Sequence, residues 1–317
     1  MLSNKKIVNL VSGGAGFIGS NLIEKLLKKG EIVICLDNFL NGSYQNISKF
    51  SENPNFSLIS QSIIDEIDID INIDIIWHCA SPASPKFYYQ YPVETSYIIF
   101  QGTLNLLNYA LRKKSIFFLA SSSEIYGEIE NLPIKESNYG NVKTTSKRSC
   151  YSEAKRLSET ICYDFHRKYG LDVRIARIFN TYGPNMSIID GRVINTFISN
   201  CILNRPLFIY GNGNQTRSFC YIDDLIKAFF LMRDINFNKP INLGYPHEIT
   251  ILELADLIKR KTGSDSEIIY KGINENEPFR RIPSIDMAKE LLNWKPEITL
   301  DLGLEYTINY FKNILKH

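Results

Sequence analysis

The chain lacks a charge bias. Its 36 Lys and Arg face 34 Asp and Glu, a formal net charge of +2, so neither nucleic acid nor an anionic membrane surface is implied as a partner. It also lacks any C-x-x-C pair among its six cysteines, Cys35, Cys79, Cys150, Cys162, Cys201 and Cys220. Scattered thiols, several of them in apolar runs, speak against a disulfide frame or a zinc site and fit buried, reduced groups of a cytoplasmic protein. No apolar run reaches the ~18 residues expected of a membrane span. An apolar segment begins within a few residues of Met1, which leaves no space for a signal peptide and adds to the cytoplasmic expectation. Internal repeats and low-complexity tracts are absent as well. What is present is an ordinary soluble composition, 44% hydrophobic and 22% charged over 317 residues, enough for one large or two modest domains.

The rest of the chain is organised around Val8 to Ser20, an apolar run that ends in a glycine-dense turn and continues into a helical segment. Gly13, Gly16 and Gly19 recur at every third position around Phe17 and Ile18, and Gly14, Gly16 and Gly19 also fit the dinucleotide fingerprint. Such glycines permit a tight turn, let a phosphate approach the backbone and let a helix pack closely on its strand. The helix start then offers N–H groups to a pyrophosphate. A second apolar run, Glu31 to Leu36, ends at Asp37, near the distance expected of the acid that binds an adenosine ribose. The polar loop Asn38-Phe39-Leu40-Asn41-Gly42-Ser43 follows; on its own it reads equally as a wall of the adenosine site and as plain surface.

Strand-like and helix-like segments alternate as far as Gly183. Asp74 to Ala80 is a buried strand that ends at Ser81-Pro82-Ala83-Ser84-Pro85. Pro92 to Leu111 is a long helix with Tyr97, Phe100, Leu104, Leu107 and Leu111 at helical spacing. Ser115 to Ala120 is a strand, Ser152 to Tyr169 a helix stopped by Gly170, and Leu171 to Ile178 a strand. The segment Ile63 to Ile73 alternates acids and isoleucines and stays ambiguous by pattern. The fold class is therefore α/β, a Rossmann-type doubly wound parallel sheet. Residues 1–183 form the dinucleotide-binding domain, with return segments near 219–262. The rhythm breaks after Pro184, so residues 184–317 are expected to build mainly a smaller C-terminal lobe that binds substrate.

Tyr151 and Lys155 are four residues apart and share a helix face. A nearby ammonium is expected to lower a tyrosine's pKa and fit it to act as a base on a sugar or alcohol hydroxyl. Ser122 and Ser123, at the end of the preceding strand, can offer hydroxyls to a substrate oxygen.

This constellation resembles the extended short-chain dehydrogenase/reductase family, whose members act on nucleotide sugars, over nearly the whole chain. The resemblance rests on His78 to Pro85, Ser123-Glu124-Ile125-Tyr126-Gly127, Arg148-Ser149-Cys150-Tyr151 with Lys155-Arg156, and Ala176 to Pro184. It is carried further by Asp190-Gly191-Arg192-Val193, Tyr210-Gly211, Gln215 to Phe219, Arg281-Ile282-Pro283 and Leu292 to Pro296. Within the family it looks most similar to the UDP-glucuronate decarboxylase branch.

The resemblance implies NAD as cofactor, at Gly13, Gly16, Phe17, Ile18, Gly19, Asp37, Asn38, Gly42, Ala80, Tyr151 and Lys155. It implies oxidation at carbon 4 of a UDP-hexuronate, loss of CO2 from the 4-keto acid and re-reduction to UDP-xylose. Tyr151, Lys155, Ser122, Ser123, Glu124 and Arg281 are the catalytic candidates, Glu124 for proton handling and Arg281 for electrostatics, since arginine stays protonated. Tyr88, Asn180, Arg192, Val193, Tyr210, Arg217 and Arg281 are the substrate-binding candidates. The family's 4,6-dehydratases carry an acid where Ser123 stands, which argues against dehydration; the alternatives are another sugar-nucleotide reaction on the same scaffold, a 4-epimerase or 4,6-dehydratase, and a catalytically silent sugar-nucleotide sensor. Ser62, Lys143 to Ser146, Asn185 and Ala154 depart from the usual family residues. By family pattern the two long helices pair across a two-fold axis, so a homodimer is expected.

Overall fold

The structure is a computed structural model, and it describes residues 6–272 and 279–315; the outermost residues of the two expected domains lie outside that range. Six strands come first: β1 (Val8–Ser12), β2 (Ile32–Asp37), β3 (Phe56–Ser60), β4 (Ile75–His78), β5 (Ile116–Ser122) and β6 (Val173–Ile178). Helices α1 (Phe17–Lys28), α2 (Pro85–Gln90), α3 (Pro92–Lys113) and α4 (Ser149–Tyr169) connect them. Beyond β6 come β7 (Thr181–Tyr182), α5 (Val193–Ile202), β8 (Leu207–Tyr210), β9 (Thr216–Arg217), β10 (Cys220–Tyr221) and α6 (Ile222–Arg233). The chain then forms β11 (Pro240–Leu243), β12 (Ile249–Thr250), α7 (Ile251–Thr262), β13 (Ile268–Lys271), α8 (Asp286–Leu292) and α9 (Leu300–Leu315).

Seven strands form a parallel sheet in the order β11-β6-β5-β4-β1-β2-β3. Alternate side chains feed opposite faces, as the pleat requires. Leu10, Ile76 and Phe117 join a core with Leu106, Leu107, Cys162 and Phe165 of α3 and α4. Val11, Trp77 and Phe118 join one with Leu22, Ile23 and Leu26 of α1 and Leu225 and Phe229 of α6. The second core continues without a break into α5, α7 and α9, so these later helices share packing with the sheet. Buried Asn9 is matched on both sides: its amide donates to Glu31 and its oxygen accepts from the Trp77 indole, each at 2.9 Å.

The expected elements are present with shifted ends. α1 opens at Phe17 and α4 at Ser149, earlier than the apolar pattern indicates, because Tyr151 and Ser152 already donate backbone hydrogen bonds to the Arg148 carbonyl. Ile63 to Ile73 adopts no regular element. Its isoleucines at 63, 67 and 73 are buried, and its carbonyls accept from side chains of Asn105, Arg112 and Ser115. β11 adds the edge strand beside β6.

Candidate active site

The turn between β1 and α1 is shaped by its glycines. Gly13 sits at φ +70°, and a Cβ there would stand 2.6 Å from the Ala80 backbone. A Cβ on Gly19 would meet the Gly13 carbonyl oxygen at 2.2 Å. These approaches bring the ends of β1 and β4 together at the start of α1. Asp37 accepts hydrogen bonds from the N–H groups of Ala15 (2.9 Å) and Phe39 (2.8 Å). Burial pushes its carboxyl above the usual range, and those two bonds pull the other way.

A cavity of about 670 Å³ opens over this turn, walled by Gly13, Gly16, Phe17, Ile18, Gly19, Asp37, Asn38, Gly42 and Ala80, with Gln61 and Ser62 beside them. Those nine residues are the expected coenzyme residues other than Tyr151 and Lys155. A backbone cradle that side chains would fill, a helix start and a carboxylate fit a dinucleotide.

Tyr151 and Lys155 lie beside this wall rather than on it. Tyr151 is buried and stacks on Tyr88, centroids 5.6 Å apart and 18° between planes. Lys155 donates to the Ala120 carbonyl at 2.9 Å, and its Nζ is 5.9 Å from the Tyr151 ring centroid. This corrects the expected tuning. Burial pushes the Tyr151 phenol above its ordinary range, opposed by its hydrogen bond with Ser122 and the charge of Arg192. Lys155 is itself pushed down to about 8 by burial. One of its three N–H donors goes to the Ala120 carbonyl, and the groups that oppose the burial of the phenol are Ser122, Arg192 and Ser81.

Glu124 follows Ser122 and Ser123 on a 3-10 turn, Ser123–Tyr126. Ser122 caps that turn by accepting from the Glu124 N–H at 3.2 Å, and Ser123 is buried in it. Two guanidiniums converge on one Glu124 oxygen, Oε1: Arg281 pairs with it directly, and Arg148 at 3.1 Å. Arg281 also donates to the Gly127 carbonyl, and its Nε is buried with no partner among the described residues. Burial drives the Glu124 carboxyl up, but the charges of Arg281 and Arg148 outweigh it and hold the group below the usual carboxylate range. Arg148 stands out from the structure rather than the sequence, where it is one residue of a longer motif.

The substrate-binding candidates are spread more widely. Arg192, on the cavity wall, pairs with Asp190 at 3.2 Å and donates to the Ala83 carbonyl, and Val193 begins α5 behind it. Asn180 lies between β6 and β7, its carbonyl accepting from Cys220. Tyr210 is half exposed at the end of β8, and Arg217 in β9 donates to the Thr216 and Phe279 carbonyls. Tyr210 and Arg217 are not on the cavity wall; Arg217 acts on Glu124 through its charge.

Residues 9–244 match the model of a family described as the NAD dependent epimerase/dehydratase family. The chain is 43% identical over 312 residues to UDP-glucuronic acid decarboxylase 1 of Arabidopsis thaliana, covering 98% of this chain and 71% of that one. Its fold superimposes with a TM-score of 0.91 on a UDP-glucose 4-epimerase from Thermotoga maritima solved with UDP-glucose, at 30% identity over 98% of this chain and 100% of the other. It also matches a UDP-glucuronic acid 4-epimerase from Bacillus cereus in complex with UDP-glucuronic acid and NAD, with a TM-score of 0.87 and 26% identity over 97% of this chain and 100% of the other. With the glycine cradle, the Asp37 carboxylate and Tyr151 and Lys155 on one helix beside it, the chain belongs to the NAD dependent epimerase/dehydratase family.

Proposed function

We propose that this protein is a UDP-glucuronate decarboxylase that forms UDP-xylose and CO2. The observation that carries the reading is the pair of guanidiniums, Arg281 and Arg148, converging on Glu124 near Tyr151. The Arg281 guanidinium, whose Nε is buried with no partner among the described residues, suits a sugar that brings a carboxylate of its own. The name of the Arabidopsis relative supports the same substrate.

NAD, held by Gly13 to Gly19 and Asp37, supplies when bound the hydride acceptor for carbon 4 and returns the hydride at the end. Tyr151 takes the proton of the 4-hydroxyl, with Ser122 orienting that oxygen. Arg281 draws the hexuronate carboxylate, which sits on the carbon next to the new ketone. The ketone receives the electron pair of the broken C–C bond as CO2 leaves. Glu124, kept ionised by its guanidiniums, relays one solvent proton to carbon 5, and Tyr151 returns its proton to oxygen 4. Asn180, Tyr210 and Arg217 hold the UDP end.

We also propose a homodimer, supported by the apolar residues that α3 and α4 leave exposed, and a cytoplasmic setting, supported by six free thiols. Incubation with UDP-glucuronate in D2O tests the reaction. The expected result is CO2 and UDP-xylose with one deuterium at carbon 5. Conversion to UDP-galacturonate without CO2 would make the protein a 4-epimerase and overturn the proposal.

A further inference from the structure

Residues 184–192, between β7 and α5, cross the coenzyme cavity and are tied at both ends. At the glycine turn, Asn21 donates to the carbonyls of both Phe17 (2.8 Å) and Pro184 (3.0 Å). Asn46 likewise donates to Ala15 (2.9 Å) and Asn185 (3.2 Å). At the far end, the Ser84 hydroxyl donates to the Asp190 carbonyl at 3.0 Å. This strap is backed by the last helix. Leu304, Ile308 and Phe311 of α9 are buried in the shared core. Tyr310 and Ile314, four apart, share another face and both line the cavity. The Tyr310 hydroxyl faces the backbone of Asn185, which holds φ +68°, and both residues line the cavity.

We infer that the end of α9 is part of the coenzyme site: Tyr310 braces the strap against the glycine turn, and Ile314 walls the cavity in which the dinucleotide sits. The smaller lobe thus serves the coenzyme as well as the sugar nucleotide. This rests on family membership and the cavity, not on which sugar reaction follows.

Ile314 is 40% exposed, so a charge there leaves the fold intact. NAD+ is titrated calorimetrically into full-length protein freed of nucleotide. Because the coenzyme carries two phosphate charges, Ile314→Glu weakens its binding about fivefold and Ile314→Lys tightens it about threefold, and the gap narrows as salt rises. UDP, titrated in parallel, changes by less than about twofold, since Tyr210 and Arg217, proposed to hold it, do not line this cavity. Stopped-flow release of NADH is faster in Tyr310→Phe, which loses the hydroxyl that faces the strap. Equal NAD+ affinity in the two Ile314 variants, or equal shifts for NAD+ and UDP, overturns the inference.

Discussion

Tyr151 and Lys155 are both buried, and burial disfavours the charge each one uses. Lys155 has its pKa lowered from 10.5 to about 8, so it is protonated below pH 8 and loses its charge above. If its ammonium supports proton transfer at Tyr151, kcat/KM falls as pH rises through about 8. Lys155→Met is then slower by about 100-fold or more and lacks that alkaline limb, which a pH–rate profile of both proteins checks. Stability moves the other way. Between pH 8 and 10.5 the unfolded chain binds more protons at this position than the folded one, so this residue's contribution to stability rises with pH there. A stability gain alongside an activity loss separates a catalytic role from a structural one. At this scale the sequence was informative about residue type and silent about partners. Tyr151, Lys155 and Glu124 stand in short motifs, whereas the Ala120 carbonyl that occupies Lys155 and the second guanidinium on Glu124 become neighbours only through folding.

Glycines that look alike in the sequence do different jobs in the elements they join. Gly170, at φ +69°, ends α4 with open space around the position of a Cβ. Gly19 lies inside α1, where a Cβ would press on the Gly13 carbonyl at 2.2 Å. Gly170→Ala is expected to cost about 1 kcal/mol from left-handed strain alone and to leave NAD+ binding unchanged. Gly19→Ala shifts backbone against backbone in the turn. It is expected to cost about 1–3 kcal/mol and, beyond that, to weaken NAD+ binding at least about tenfold. Denaturant melts and NAD+ titration of the two variants make the comparison. The strands and long helices were legible because their periodicity is local: Leu10 and Val11, or Phe117 and Phe118, alternate faces regardless of what lies elsewhere. Ile63 to Ile73 was not, because its backbone is satisfied by side chains from and just beyond α3. Nor was the contact of α9 with the cavity, since the amphipathic pattern of a helix reports that it packs, not what it faces.

Across the whole molecule, α3 and α4 pack on the sheet through one face and carry a second apolar face outward. Val93 is 76% exposed, Tyr97 53% and Leu157 42%, and Phe100, Leu104 and Ile161 beside them are only half-buried. The interior already holds Leu106, Leu107, Cys162 and Phe165, and exposed apolar residues on neighbouring helices are what the proposed homodimer would bury. The net charge of +2 sets no barrier between two copies. Light scattering on the purified chain is therefore expected to give twice the monomer mass, and Tyr97→Glu with Leu157→Glu to give a monomer. Neither residue lines the coenzyme cavity, so the monomer should bind NAD+ as the parent does. Tyr151 and Lys155 ride on α4, the helix that bears Leu157, and α4 is held to α3 and β4 by the chain His78–Thr103–Ser158. Loss of the partner should then slow turnover by loosening α4 while coenzyme affinity stays constant. A parent chain that runs as a monomer at full activity would show instead that α3 and α4 alone hold the catalytic pair in place.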